Sequence, residues 1–291
     1  MQPKTIKRKQ DARRSFFRRF GTGVFGLLIL IVPLSYGQAT DSIWEKFDSS
    51  NTTTIDHSDW QAILDTYLVT DDPSGIHLFD YQALQENTAD RQCLNQYLEQ
   101  LQELDPRQYA RDVQMAYWIN LYNAVTIRVV VDAYPVESIM QINNEEKPNS
   151  GPWKDIHATV AGIPLTLETI EHDILRPIWQ DNRIHYAVNC ASLGCPNLAS
   201  QAFTAANLEQ LLDENAKEFV NHLRAVELLD EAFGVTSSLY FWYMEDFGDS
   251  EAGVLAHLQK YADEDLAEQL KGFEGSLDHE YDWRLNVTSI Q

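Results

Sequence analysis

Between Met115 and Ile127 the chain reads Met-Ala-Tyr-Trp-Ile-Asn-Leu-Tyr-Asn-Ala-Val-Thr-Ile, apolar at almost every position. A helix that is apolar on every side cannot lie on a surface and must be enclosed by the rest of the fold. Asn120 and Asn123, one turn apart on this helix, must find hydrogen-bond partners once buried. Two readings of them stand side by side: ties between loops and core, or one amide that orients a catalytic group or donates to an oxyanion.

The flanking sequence supplies the elements that would enclose it. Trp60, Ile63, Leu64, Tyr67 and Leu68 have helical spacing behind Ser58, a residue suited to capping. His77–Tyr81 reads as a short strand or extended link, and Tyr81–Leu104 as a helix stopped by Asp105-Pro106. The central helix should end before Tyr134-Pro135, and residues 141–156 form a loop. His157–Leu165 reads as a hairpin turning at Ala161-Gly162. Behind Thr166 a helix places Leu167, Ile170, Ile174, Leu175 and Ile178 on one face, and Glu168, His172 and Arg176 on another. Arg183–Cys190 alternates as a strand, with Ile184, Tyr186 and Val188 opposite His185 and Ala187. Helices are expected at Asn207–Leu223 and Val254–Tyr261, an aromatic strand or helix at Leu239–Met244, and a returning strand at Tyr281–Asn286. No linker interrupts 57–290, so the expectation is one helix-rich α+β domain with a small sheet.

Charge separates the N-terminus from the rest. Residues 1–39 hold eight basic residues and one acid, leaving 14 basic and 43 acidic residues in 40–291. The basic head, the apolar run Val24–Leu34 and the small residues Ser35–Ala39 follow the plan of an export signal. Arg13-Arg14-Ser15-Phe16-Phe17 fits a twin-arginine version of it, and an uncleaved N-terminal anchor is the alternative. Both place the protein in the bacterial periplasm or outside the cell, with membrane contact only through this segment. Residues 40–56 are polar and expected to be mobile, and the domain proper runs over 57–291. A net charge of -22 excludes a phosphate backbone as the main partner.

Chemistry concentrates in His185-Tyr186-Ala187-Val188-Asn189-Cys190-Ala191-Ser192-Leu193-Gly194-Cys195-Pro196. A thiol delivered to a loop by an ordered element has the exposure a nucleophile needs. His185 is the nearest base, although in an ideal strand it would point away from Cys190. The competing reading is a Cys190–Cys195 disulfide, which an oxidising compartment favours. Zinc would need a ligand beyond His185 and the two cysteines, so no metal is expected. Neither a Walker loop nor a dinucleotide fingerprint occurs, and no cofactor is expected. Glu168, Glu171 and His172 become a base and its orienter only if their helix face meets Cys190.

Several long motifs resemble one family. Ala116–Ala124, Tyr134–Ile139, Leu165–Arg176, Arg183–Ser192 and Tyr281–Asn286 together resemble the domain-of-unknown-function family 547 over roughly 57–288. The resemblance implies no settled activity. Its buried helix followed by a His-bearing segment is similar in plan to papain-like and transglutaminase-like thiol enzymes, whose nucleophile normally opens the central helix. Met115–Ile127 holds no cysteine, so the thiol would have moved to Cys190 or been lost. The expected catalytic set is Cys190, His185, His172, Glu168 and Asn120, with Tyr117, Asn123, Asn189 and Ser192 binding a small-molecule or peptide substrate. The alternative is a non-catalytic binding or scaffold module with the Cys190–Cys195 disulfide.

Overall fold

Helix α4 (Arg111–Ala133) is the axis of the molecule, and every residue from Val113 to Ile127 on it is buried. That enclosure is what its all-round apolar sequence demands. The structure is a computed structural model describing residues 43–142 and 150–288. The leader expected at 1–39 lies outside the described residues. Among them no helix is long and apolar enough to cross a membrane.

Helices α1 (Ser58–Tyr67), α2 (Tyr81–Glu86) and α3 (Thr88–Glu103) pack on one another, and α2 and α3 pack on α4. The single helix expected over Tyr81–Leu104 is thus two. Asn87 leaves helical geometry, and its side chain accepts from the N–H groups of Ala89 and Asp90, capping α3. Ser58 is the first residue of α1, not its cap. Upstream, the polar segment still places Trp44 in the core, edge-on to Trp118 at 5.1 Å.

In place of one small sheet there are three. β1 (Leu68–Val69) pairs with β2 (Leu78–Phe79), and β3 (Ile156–Val160) with β4 (Ile163–Thr166), both antiparallel. The β3–β4 turn has positive φ at both Ala161 and Gly162, the hairpin geometry its sequence suggests. β5 (Val226–Asp230) pairs antiparallel with β6 (Phe233–Ser237), and β6 pairs parallel with β7 (Ser276–Glu280).

After β4 the chain enters a helix that widens to π geometry at Thr169–Leu175 and continues as α5 (Arg176–Trp179). Thr166 Oγ1 accepts from the Thr169 N–H as a cap. The Arg176 N–H reaches back five residues to the Glu171 carbonyl, the mark of the wider turn. Next comes α6 (Ile184–Ala187), a four-residue helix where a strand is expected. Its four residues are all buried, so no solvent face exists to generate strand alternation. A short apolar run has no periodicity to separate strand from helix. Ile184 and Ala187 belong to the core around α4, whereas Tyr186 belongs to a second core with α7 (Leu208–Val220) and α9 (Glu251–Tyr261). Between these lie α8 (Ser238–Trp242), which settles Leu239–Met244 as mostly helical, and α10 (Glu264–Gly272) follows α9. The end of the chain returns beside the Cys190 loop, bridging Ser192 to Leu285 and Phe79 to Val287.

Candidate active site

The loop after α6 is held from three sides before any chemistry is considered. Asn123 on α4 donates to the Ala187 carbonyl at 2.9 Å and accepts from the Asn189 N–H at 2.8 Å. Asn189 accepts from the Ala191 N–H at 2.8 Å and donates to the Pro196 carbonyl at 2.8 Å. In place of the strand expected at Tyr281–Asn286, an extended segment making only isolated bridges accepts from the N–H groups of Leu193 and Gly194 through the carbonyls of Arg284 and Asp282. Gly194 is required there, since a Cβ would sit 2.8 Å from the Asp282 nitrogen. Ala191 adopts φ 60°, an uncommon value for a residue with a Cβ, and turns the chain directly after Cys190.

This framework presents the half-buried Cys190 thiol to a cleft of about 640 Å³. The cleft is shared by His185, Glu171, His172, Glu168, Cys195, Tyr122, Tyr243, Tyr281 and the indoles of Trp153, Trp242 and Trp283. Cys190 Sγ lies 3.0 Å from the Tyr281 hydroxyl and 3.2 Å from the Ser192 hydroxyl, and Ser192 donates to Tyr281 at 3.0 Å. Hydrogen bonding from Cys195, with those of Ser192 and Tyr281, outweighs burial and the Glu171 charge and holds the Cys190 thiol below its ordinary range. Burial pushes the Cys195 thiol well up instead.

The disulfide of the competing reading is not formed. Cys190 and Cys195 are free thiols, and the Cys195 sulfur accepts from the Cys190 N–H at 3.0 Å. Cys195 is thereby drawn to the backbone of the loop, a role the spacing of the two cysteines does not reveal.

His185 is 2% exposed, and its Nε2 donates to Asp246 Oδ2 at 2.7 Å. The ring stacks on Tyr243 at 4.3 Å. Asp246 also accepts from Arg176 Nε at 2.6 Å. Burial alone would raise this carboxyl, but the bonds from His185 and Arg176 override it and hold Asp246 at about 2. A carboxylate on Nε2–H leaves Nδ1 as the imidazole atom that can exchange a proton. Nδ1 is 4.0 Å from Glu171 Oε1. Because α6 is helical, the strand argument that would turn His185 away from Cys190 does not apply.

The other expected residues divide clearly. His172 lines the cleft with its Nδ1 3.2 Å from Arg176 Nη1, and Glu168 sits at the rim paired with Lys154 at 3.3 Å. Glu171 lies deeper and is buried. Asn120 is not brought to the cleft: it donates to the Phe203 carbonyl and accepts from the Phe203 N–H, the loop-tying reading of that amide. Tyr117 is also remote, donating to the Leu101 carbonyl. Asn123 and Asn189 act on the loop backbone and Ser192 on the thiol itself. Sequence reasoning assigned no site role to Asp246, Tyr243 or Tyr281, which stand 61, 58 and 96 positions from His185; Tyr281 opens the Tyr281–Asn286 motif, the signal that could have found it. Among the described residues no cluster of His, Cys, Asp or Glu is arranged to hold a metal.

Residues 106–220 match the model of a family described as a protein of unknown function, DUF547. No curated protein and no solved structure matches the chain. The matched stretch carries α4, Glu171, His172, His185, Cys190 and Cys195. Tyr243, Asp246 and Tyr281, which complete the site, come from the chain beyond it.

Proposed function

We propose that the cleft is the active site of a thiol-dependent hydrolase or acyl/peptidyl transferase, with Cys190 as nucleophile and His185 as proton carrier. The observation that carries this reading is the Cys190 thiol, held between two hydroxyls in the same cleft as an imidazole whose far nitrogen is fixed by Asp246. Cys190 Sγ attacks the substrate carbonyl, the C–S bond forms, and the thiol proton passes to His185 Nδ1 and on to the leaving group. Water, or a second acceptor, then cleaves the thioester and restores the thiol. Asp246 keeps the ring in one tautomer and stabilises the imidazolium that forms in passing. Arg176 in turn holds Asp246.

The reading includes a small-molecule or peptide substrate and export to the periplasm or beyond, which the leader at 1–39 supports. Without the disulfide, the binding-module alternative keeps only the cleft to rest on. The test is alkylation by iodoacetamide at neutral pH, mapped by mass, together with turnover of p-nitrophenyl acetate. Cys190 should react before Cys93 and Cys195, and Cys190→Ala should remain folded but lose turnover. Turnover by Cys190→Ala at the wild-type rate would overturn the reading.

A further inference from the structure

Glu171 brings a carboxylate to the wall of the cleft. Its side chain is 9% exposed and faces the cleft. Among the described residues no hydrogen bond reaches its carboxylate, and its one close polar contact is His185 Nδ1 at 4.0 Å, beyond hydrogen-bond distance and ionic only when that ring carries a second proton. Asp246 already takes the Nε2–H of that ring. A mostly buried carboxylate with so weak a contact can gain from a ligand that supplies charge and donors.

The surroundings specify what would supply them. The Glu171 charge bears on the phenols of Tyr122 and Tyr243, adding to the effect of burial in pushing both up. From Tyr243 the wall continues through Trp242, Tyr281, Trp283 and Trp153, each in ring contact with another at 4.6–5.7 Å. Trp242 is 44% exposed, so part of its ring is open to a ligand. Aromatic faces attract cations and tolerate apolar groups equally well. Lys154, a cation at the rim, is spoken for by Glu168 at 3.3 Å. A mostly buried carboxylate and an aromatic wall sharing one cleft are complementary to an ammonium group.

We infer that this cleft takes substrates bearing a positively charged ammonium group, seated between Glu171 and the aromatic wall beside Cys190. The inference rests on the thiol-enzyme reading only for what happens at Cys190; the cation site stands on Glu171 and the rings.

The test uses two cation and neutral pairs of matched shape, choline with 3,3-dimethyl-1-butanol and n-butylammonium with n-butanol. Binding is read on the full chain by tryptophan fluorescence and by the indole N–H resonances. At least one cation should bind about tenfold or more tighter than its neutral partner. Glu171→Gln should remove that preference and leave the neutral affinity unchanged, and Trp242→Ala should weaken the cation. Equal affinities within both pairs, or no binding by either cation up to 100-fold the concentration that saturates comparable ammonium sites, roughly 100 mM, would overturn the inference. The wild-type comparison decides even if Glu171→Gln fails to fold. Cation preference that persists in Cys190→Ala, with no thiol reactivity in the wild type, would sink the thiol reading and leave this one standing.

Discussion

His185 and Asp246 meet at 2.7 Å across 61 positions of sequence, joining the short helix α6 to the turn after α8. The bond occupies Nε2 and commits the imidazole to work through Nδ1, on the side of Glu171. Arg176 locks the other half of the arrangement by donating to the same carboxylate oxygen at 2.6 Å. One acid thus fixes a tautomer and anchors the widened helix that carries Glu171 and His172.

Asp246→Asn should therefore damage rate more than binding. The amide cannot serve His185 and Arg176 as a carboxylate does, and the imidazole loses both its tautomer and its electrostatic support. We expect kcat to fall by about 10²-fold or more with KM nearly unchanged. Steady-state kinetics on the p-nitrophenyl ester checks this, and an unchanged kcat would remove Asp246 from the proton path.

Tyr281→Phe isolates the hydroxyl that contacts Cys190 Sγ at 3.0 Å and accepts from Ser192. Removing it takes away one of the bonds that hold the thiol below its ordinary range. The midpoint of the alkylation rate against pH should move upward, and the rate at neutral pH should drop about three- to tenfold. A profile identical to wild type would mean that the phenol only fills space.

Asn123 and Asn120 offer a matched pair. Each satisfies two backbone groups in a fully enclosed setting, Asn123 at Ala187 and Asn189, Asn120 at Phe203. Replacing either with Ala should cost about 2–4 kcal/mol, because buried donors and acceptors are left unpaired. Only Asn123→Ala should also change the alkylation rate of Cys190, since only Asn123 holds the loop that bears it. Urea unfolding and thiol kinetics on the two variants separate the effects.

Two histidines away from Cys190 set the acid response. Burial disfavours the charged form of His57 and of His257 and holds each at about 4, against an ordinary value of 6.5. The unfolded chain then binds more protons than the folded one between pH 6.5 and 4. Stability is fully present above 6.5 and declines as pH falls through that window, by about 2–3 kcal/mol for each group. His257 also holds the Tyr186 hydroxyl at 2.6 Å, so His257→Gln should lower stability near pH 7 while making its pH dependence shallower. Urea midpoints from pH 4 to 7 give both slopes; parallel curves would contradict the assignment.

Much of the fold was readable along the chain because local periodicity reports burial. The enclosed helix, the hairpin turn at Ala161-Gly162 and the amphipathic α7 all follow from the spacing of apolar and turn residues. The reading failed where burial erases periodicity. Ile184–Ala187 is buried on all sides, so its alternation carried no information and a helix stood in place of the strand. At Thr169–Leu175 the wider π turn shifts side chains off the 3.6-residue spacing on which any helical-face argument depends.

The sequence by itself determined that a central helix must be enclosed, that its two asparagines must be paired, and that Cys190 and His185 lie on one short stretch. Which amide supports the thiol loop, which cysteine is left partly exposed and which acid fixes the histidine were decided by tertiary structure alone. Asp246, Tyr243 and Tyr281 are remote in sequence, and each reaches the cleft only because the second core and the returning C-terminal segment close around α6. Such contacts have no periodic trace, because they depend on where separate elements stop rather than on the pattern within any one of them.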